Sequence, residues 1–296
     1  MTSAWTTHDI PDQSDRTVVV TGANSGIGLV AARELAAKGA HVVFACRDTT
    51  KAEAARKGVP GSHEVLRLDL ADLDSVRAFT DAMAGRQVDV LVNNAGIMNV
   101  PFSRTPQGFE SQFGTNVLGH FALTARLFPQ ITDRVVWLSS GVHRMGRIDL
   151  DDPNFERRTY RGWTAYGQSK LADLMLAYEL QWRLTGAGSR VRSVAAHPGY
   201  SATNLQGHSG TWQDAVGRFF NRFPAIASPP EAGALPTLYA ATVSDLPGGS
   251  YVGPGGPGEL QGPPRLVSSS AASHNREVAQ GLWQLCERLT GETFTV

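Results

Sequence analysis

Residues 17–28 read TVVVTGANSGIG, an apolar run that passes directly into a glycine-rich turn. The run Thr17–Thr21 is β-branched, which is typical of a strand. Gly22, Gly26 and Gly28 then leave the backbone bare where a helical pattern begins. Such a turn lets the pyrophosphate of a dinucleotide approach backbone N–H groups at a helix N-terminus. The spacing Gly-x-x-x-Gly-x-Gly differs from the better-known Gly-x-Gly-x-x-Gly, and an ordinary glycine turn is the alternative interpretation.

Five more apolar runs follow and alternate with helical patterns. These predicted strands are His41–Ala45, Glu64–Leu68, Val88–Val92, Arg134–Leu138 and Val191–Ala196. Near-continuous apolar strands suit a parallel sheet that is covered on both faces. The pattern therefore predicts an α/β fold, a single-domain Rossmann-like, doubly wound parallel sheet flanked by helices.

The last third of the chain has a different composition. We predict a helix at Pro230–Ala241, a seventh strand at Ser250–Val252 and a closing helix at Asn275–Leu289. The stretch Pro254–Pro264 is almost all glycine and proline, which predicts a loop. The sheet should therefore contain about seven strands.

Composition excludes several classes of protein. The chain has 296 residues, of which 42% are hydrophobic, and 27 acidic residues balance 27 basic ones. This composition excludes disorder for the bulk of the chain, and the zero net charge gives no reason to expect nucleic acid or an anionic membrane. Cys46 and Cys286 are too far apart in sequence to suggest a disulfide framework or a zinc module, and we predict no metal site.

The start of the chain suggests no targeting signal. Residues 1–15 form a polar segment without the basic and apolar regions of a signal peptide, and residues 16–296 are predicted to form one dinucleotide-binding domain. No stretch approaches ~18 uncharged apolar residues, the length of a membrane-spanning helix. The expected location is cytoplasmic.

The end of the second predicted strand bears on the choice of cofactor. Enzymes that use NAD place an acidic residue there to bind the ribose 2′-hydroxyl. Here the strand ends in Cys46 and Arg47, and Asp48 follows only after the arginine. The planar guanidinium of Arg47 could bind a 2′-phosphate, which favours NADP over NAD. A solvated surface arginine and a helix-capping Asp48 are the alternatives.

Four motifs occur in order along the chain. They are TGANSGIG at 21–28, NNAG at Asn93–Gly96, YGQSK at Tyr166–Lys170 and HPGYSAT at His197–Thr203. Together they resemble the short-chain dehydrogenase/reductase family over about residues 16–290. The segments ACRD, LGHFALT and TAYGQSKLA further resemble the branch that contains retinol dehydrogenases and the WW-domain oxidoreductase. Light-dependent protochlorophyllide reductases are also similar, but they usually carry a cysteine where this chain has Ala172.

The tyrosine motif predicts acid/base chemistry. Tyr166 and Lys170 are four residues apart and share one face of a helix. A neighbouring ammonium favours the phenolate and lowers the pKa of a tyrosine, so Tyr166 could exchange a proton with a carbonyl or alcohol oxygen. The resemblance implies that Lys170 also bonds the nicotinamide ribose.

The resemblance implies two further catalytic residues. Ser140 would orient the substrate oxygen, whereas Ser139 would bond to the backbone. Asn116, in FGTNVLGHF on a predicted helix, would help to hold a water linked to Lys170. The gap from Ser140 to the tyrosine is longer than usual in the family, which implies an insertion within Gly141–Gly162.

The remaining predicted cofactor contacts are also implied by the resemblance. Asp69 would bind the adenine amino group, although helix capping is an alternative, and Thr203 would hold the nicotinamide carboxamide. The full predicted set is Gly22, Asn24, Ser25, Gly26, Ile27, Gly28, Arg47, Asp69, Leu70, Asn93, Ala95, Gly96, Tyr166, Lys170, Pro198, Gly199 and Thr203. His143 and His197 are interpreted as structural.

These observations predict an NADP-dependent oxidoreductase that interconverts a carbonyl compound and an alcohol. The alternatives are an NADPH-dependent reductase of a carbon–carbon double bond and a non-catalytic nucleotide-sensing protein. The substrate-binding loops are predicted at 141–162 and 200–229.

The second loop contains four aromatic residues, Trp212, Phe219, Phe220 and Phe223. If they line the pocket, the small-molecule substrate is bulky and apolar; otherwise they form the core of a lid. The resemblance also makes a homo-oligomer possible, through helices that include the one bearing Tyr166.

Overall fold

Eight strands form one sheet in the computed structural model, which describes residues 4–200 and 229–295. The strands are β1 (Thr17–Thr21), β2 (His41–Cys46), β3 (His63–Arg67), β4 (Val88–Asn93), β5 (Ile131–Leu138), β6 (Arg192–Ala196), β7 (Tyr251–Pro254) and β8 (Pro264–Leu266). Their spatial order is β3-β2-β1-β4-β5-β6-β7-β8. All neighbouring pairs are parallel except β7 and β8.

The strands are apolar throughout because both faces of the sheet are covered. In β1, Val19 faces one buried layer, whereas Val18 and Val20 face the other, and all three have no exposed surface. This alternation of direction is the ordinary pleat of a strand, and it requires apolar residues at successive positions when helices pack on both sides.

Seven α-helices accompany these strands in the described part of the chain. They are α1 (Gly26–Ala37), α2 (Thr49–Arg56), α3 (Leu73–Ala82), α4 (Gly119–Leu127), α5 (Gly162–Gly186), α6 (Pro230–Thr242) and α7 (Arg276–Thr290). One face of the sheet packs against α3, α4, α5 and α7, and the other packs against α1 and α6. Asp48, Asp72 and Asn275 begin α2, α3 and α7 by accepting backbone N–H hydrogen bonds, as helix caps do.

The predicted fold class is confirmed, with one strand more than expected. The first six predicted strands and the helices at 230 and 275 all form, with small shifts at their ends. The structure adds β8, which lies partly within the stretch predicted as a loop. Proline at Pro264 is tolerated there because β8 is at the edge of the sheet.

The strand order places the candidate site. The connection from β1 leads outward to β2 and β3, and the chain then returns to place β4 on the other side of β1. The carboxyl ends of β1 and β4 therefore border a crevice, the usual ligand site of a doubly wound sheet. None of the described helices combines the length and apolar character needed to cross a bilayer.

Candidate active site

The glycine-rich turn after β1 is shaped by close backbone contacts. Gly22 and Gly26 have φ values of +69° and +55°, a conformation that favours glycine. At Gly28 an added Cβ would lie 2.5 Å from Asn94 Nδ2 and 2.6 Å from Gly22 O. Gly28 therefore has no room for a side chain, and the glycines let a pyrophosphate approach the backbone N–H groups at the start of α1.

Thr21 connects this turn to the end of β4. Its Oγ1 accepts hydrogen bonds from the backbone N–H groups of Asn94 and Ala95, both at 2.9 Å. Asn94 Nδ2 donates in return to Thr21 O at 2.7 Å. The two motifs TGANSGIG and NNAG thus form one hydrogen-bonded unit, in which Thr21 and Asn94 were not predicted.

The end of β2 presents an unpaired cation. The Arg47 side chain is exposed and makes no hydrogen bond or ion pair with the described residues. Asp48 does not pair with Arg47. Its carboxylate accepts a hydrogen bond from Lys51 N at 2.9 Å and so caps α2. Asp69 accepts from Ala71 N at 3.1 Å. Arg47 is therefore available to bind an anion at the end of β2. The neighbouring Asp48 is not available to bind a ribose hydroxyl in the same way, because it caps α2.

Tyr166 and Ser140 meet at the end of the crevice. The hydroxyl of Ser140, just after β5, lies near the phenol of Tyr166, which is on α5 and 8% exposed. Burial raises the pKa of Tyr166, whereas the Lys170 ammonium and the nearby Ser140 hydroxyl act to lower it. The phenol is thus a proton donor whose conjugate base is stabilised by two neighbours.

Lys170 lies one helical turn from Tyr166, and its Nζ is 5.9 Å from the centre of the tyrosine ring. Nζ donates to Leu138 O at 2.9 Å and to Asp173 Oδ2 at 2.8 Å. Burial acts to lower the pKa of Lys170, but the negative charges of Asp173 and of the Tyr166 phenolate outweigh it and raise that pKa. Lys170 is therefore a permanent cation next to the phenol.

Asn116 belongs to a π-helical turn, Phe113–Leu118, that precedes α4. Its Oδ1 accepts from Ile97 N at 2.9 Å, and its Nδ2 donates to Ile97 O at 3.0 Å and to Ser169 Oγ at 2.9 Å. The side chain therefore joins the loop after β4 to α5. An added Cβ on Gly96 would lie 3.2 Å from Asn116 Oδ1 and 3.6 Å from Lys170 Nζ, so Gly96 keeps these two groups close.

His120 links the backbone of Asn116 to the side chain of Thr21. Its Nδ1 donates to Asn116 O at 2.8 Å, and its Nε2 lies 3.0 Å from Thr21 Oγ1. Because burial lowers the pKa of His120 to about 3, the ring is neutral and Nε2 can accept the Thr21 hydroxyl proton. His120 was not predicted, although its spacing of four from Asn116 places both on one helical face.

Ser139 and His143 hold the chain around Ser140. Ser139 Oγ donates to Lys170 O at 2.7 Å, which ties β5 to α5. His143 Nδ1 donates to Ser140 O at 2.7 Å, and its Nε2 accepts from Ser270 N at 3.2 Å. These two bonds define a neutral histidine whose role is to fix the backbone at Ser140.

Other predicted residues have different surroundings. Asn93 is 2% exposed and its Nδ2 bonds Thr124 Oγ1 at 2.9 Å, so its side chain faces the interior rather than the crevice. Gly199 has φ +70° in the turn after β6. His197 is buried, and its Nε2 lies 3.1 Å from Glu259 Oε2 without the alignment of a hydrogen bond. Thr203 lies outside the described residues.

A cavity of about 850 Å³ adjoins Ser140. Its described wall contains Val142 and Arg144, the turn at Gly199 and the segment Gly255–Leu260. Of the first predicted substrate loop, only the start lines this cavity. The remainder packs on the protein, where Asn154 accepts from Glu110 N at 2.9 Å. The contribution of Gly255–Leu260 was missed, because its composition predicted only a loop.

The second predicted substrate loop, 200–229, falls almost entirely outside the described residues. Trp212, Phe219, Phe220 and Phe223 belong to that part of the chain. Tyr200 is described, and its N–H donates to Leu260 O at 3.0 Å. The start of this loop is therefore attached to the segment that lines the cavity.

Comparison with known proteins agrees with this geometry. Residues 16–214 match the family described as short chain dehydrogenase. The chain belongs to the short-chain dehydrogenase family. It is 40% identical to human retinol dehydrogenase 13 over 293 residues, a match that covers 93% of this chain and 85% of that protein. The resemblance to the retinol dehydrogenase branch is thereby confirmed, and so is its character as an NAD(P)-dependent oxidoreductase.

Two solved structures of the family are informative. A crystal structure of a protein from Mycobacterium paratuberculosis has a TM-score of 0.86 and 49% identity, covering 99% of this chain and 100% of that one. A protein of Beutenbergia cavernae described as an NAD(P)-dependent gluconate 5-dehydrogenase, solved with NADP bound at low occupancy, has a TM-score of 0.59 and 29% identity, covering 77% and 90% of the two chains. Both resemble this short-chain dehydrogenase in fold.

Proposed function

We propose that this short-chain dehydrogenase uses NADP to interconvert a carbonyl compound and an alcohol, with Tyr166 as the acid and base. The observation that carries the proposal is the buried Lys170 ammonium 5.9 Å from the ring of Tyr166, whose phenol lies near Ser140. A nucleotide-sensing protein has no need of these three groups together, whereas they suit proton transfer to a substrate oxygen.

The residues of the crevice fit a dinucleotide. Gly22 and Gly28 leave no space for side chains of their own, and Gly96 lets Asn116 and Lys170 lie close to the backbone. The glycine turn would hold the pyrophosphate, and the remaining N–H of Lys170 would point to the ribose. When bound, the nicotinamide supplies or accepts the hydride.

The protein side of the reaction is proton transfer at the Tyr166 oxygen. In the direction of carbonyl reduction, Ser140 orients the substrate oxygen and Tyr166 gives it a proton. The positive charge of Lys170 stabilises the phenolate that remains, which lowers the barrier to that transfer. In the direction of alcohol oxidation, the same phenolate takes the proton.

The proposed preference for NADP rests on Arg47. The guanidinium is exposed at the end of β2 and has no partner among the described residues, so it is free to bind a 2′-phosphate. The related gluconate 5-dehydrogenase with bound NADP supports the same choice.

The proposed substrate is bulky and apolar. The cavity of about 850 Å³ is large enough for a drug-sized molecule, and a relative is named for retinol, a long apolar alcohol. Arg144 and Glu259 at the described wall are paired with each other at 3.4 Å, and Arg265 is a further charged residue of that wall. We expect kcat/KM to rise with the apolar size of the substrate, and we expect Phe219→Ala to flatten that rise.

The proposal is tested by turnover with NADPH on three panels. One contains aldehydes and ketones of increasing size, the second contains small charged carbonyls, and the third contains activated alkenes. Oxidation of NADPH with the large apolar carbonyls supports the proposal. Turnover confined to alkenes would replace it with double-bond reduction, and cofactor binding without turnover on any panel would favour a sensor.

A further inference from the structure

A buried carboxylate lies directly beside Lys170 on the same helix. Asp173 Oδ2 is 2.8 Å from Lys170 Nζ, and the two side chains are 3% and 6% exposed. A charge is seldom taken out of water unless an opposite charge holds it there. The second oxygen of Asp173, Oδ1, is buried without a hydrogen-bond partner among the described residues. Within the described part of the chain, Lys170 is therefore the hydrogen-bond partner of this carboxylate.

The hydrogen bonds of Lys170 show what this contact does. An ammonium has three N–H donors. One of them goes to Leu138 O at 2.9 Å, and a second goes to Asp173. Lys170 therefore has only one N–H donor left, and Gly96 lies next to its Nζ. The carboxylate therefore restricts both the position of Nζ and the direction of its free N–H.

We propose that Asp173 is a positioning residue that holds the Lys170 ammonium in place and offsets part of the positive charge acting on the Tyr166 phenol. The inference deepens the proposed function and rests on it only for the role of Tyr166 as the proton-exchanging group. It gives the site a counter-charge that the sequence motif Tyr-x-x-x-Lys does not contain.

No other ionised group faces this set from the neighbouring helices in the described ranges 4–200 and 229–295. His120 on α4 is close enough to feel the charge of Lys170, but burial lowers the pKa of His120 to about 3. Cys286 on α7 feels the charge of Asp173, and burial raises the pKa of its thiol. Both are neutral near pH 7, so Asp173, Lys170 and Tyr166 determine the local field.

Asp173 is ionised at neutral pH, and its charge changes the pKa of Tyr166 in a definite direction. Burial raises the pKa of Asp173 to about 6, while Lys170 opposes that rise, so the carboxylate is charged at neutral pH and above. Its charge raises the pKa of Tyr166. Replacing Asp173 by asparagine keeps an oxygen that can accept from Nζ but removes the charge. While Lys170 keeps its proton, the loss of this negative charge favours the Tyr166 phenolate and lowers the pKa of Tyr166.

The test compares Asp173→Asn with the wild type in two ways. The phenol of Tyr166 is titrated by its ultraviolet absorbance, with the Tyr166→Phe variant subtracted, and this measurement needs no substrate. The pH profile of turnover is then recorded. We expect both the phenol titration and the limb of the profile that reports Tyr166 to move downward by about 1 pH unit, with cofactor affinity close to that of the wild type.

A matched control lies on the same helix. Glu179 is a buried carboxylate that accepts from Arg183 Nε at 2.8 Å, and it too has one oxygen without a partner. It is six residues along α5 from Asp173 and does not contact Lys170. Glu179→Gln also removes a buried charge from α5, but we expect it to leave the titration of Tyr166 unchanged.

The inference is overturned if Asp173→Asn and the wild type titrate alike, or if Glu179→Gln produces the same shift. If Asp173→Asn does not fold, Asp173→Ser removes the same charge and is held to the same criteria. Absence of turnover on every substrate would contradict the proposed function, whereas the phenol titration still decides the role of Asp173.

Discussion

Gly28 illustrates at the residue scale how closely the cofactor turn is packed. A methyl group there would meet Asn94 Nδ2 at 2.5 Å and Gly22 O at 2.6 Å. Since Asn94 would have to leave its bond to Thr21, we expect Gly28→Ala to lower stability by about 1–3 kcal/mol and to weaken cofactor binding. Chemical denaturation and cofactor titration measure the two effects. Gly186→Ala, where an added Cβ meets nothing within 4 Å, should change neither, and equal losses in both variants would contradict this account.

Arg47 carries the proposed choice between the two cofactors. We expect Arg47→Ala to weaken NADPH binding by roughly 10–150-fold, because a charge-assisted hydrogen bond contributes ~1.5–3 kcal/mol. The affinity for NADH should hardly change. Titration of both cofactors against both proteins measures this difference. Equal affinities for NADPH in wild type and variant would remove the assigned role of the arginine.

At this scale the sequence predicted Tyr166 and Lys170 but not the residues that support them. The spacing Tyr-x-x-x-Lys is common by chance, and the pair was predicted because four motifs occur in order along the chain. Asp173 has the same kind of spacing from Lys170, but a carboxylate on a helix is most often solvated, so only its burial reveals the contact. Asn93 was predicted to border the cofactor, and the pattern could not show that its side chain points inward.

At the scale of elements, His120 stabilises the π-helical turn before α4 through its hydrogen bond to Asn116 O. Its pKa is about 3 in the folded protein against an ordinary value of 6.5. Between these values the unfolded chain binds a proton that the folded chain does not, so the free energy of unfolding falls as the pH decreases through this window. We expect His120 to account for up to about 2 kcal/mol of the stability lost between pH 6.5 and about pH 5.

The comparison of His120→Asn with the wild type checks this expectation by urea unfolding at both pH values. The variant should be less stable at neutral pH but should lose less on acidification. Asp173 acts in the opposite direction, because its raised pKa, about 6, makes the folded state bind a proton first. The difference between the two proteins isolates His120, and equal losses on acidification would show that the histidine does not titrate in this way.

Prediction of whole elements succeeded where the chain is apolar and periodic. The β1 bounds agree with Thr17–Thr21, since a strand buried on both faces is a continuous apolar run. The strand β8 was missed because only three residues form it, one of them a proline. The π-helical turn was also missed, because its sequence is as apolar and helical as that of α4.

At the scale of the whole molecule, α7 covers the helix that bears the candidate catalytic residues. Residues Leu171–Leu180 of α5 are all buried, and α7 shares their core. A homo-oligomer that uses the Tyr166 helix stays a prediction. A cytoplasmic location and a single domain over residues 16–296 stay predictions.

Trp283 is the largest buried side chain that α7 contributes to this core. It is fully buried, its ring is 5.1 Å from that of Phe121, and the Arg183 guanidinium lies 4.3 Å from it. We expect Trp283→Ala to lower the free energy of unfolding by about 3–5 kcal/mol. Trp163→Ala, at a site that is 42% exposed, should lower it much less. Urea unfolding compares them, and similar losses would contradict the packing described for α7.

The central claim is that Tyr166 exchanges the proton with the substrate oxygen, and Tyr166→Phe tests it most directly. The substitution keeps the ring and removes only the hydroxyl. The measurement is the rate of NADPH oxidation by both proteins on the best carbonyl substrate, alongside their NADPH dissociation constants. The account predicts a loss of ~10²–10⁴-fold in kcat with cofactor binding nearly unchanged. A variant that keeps the full kcat would contradict it.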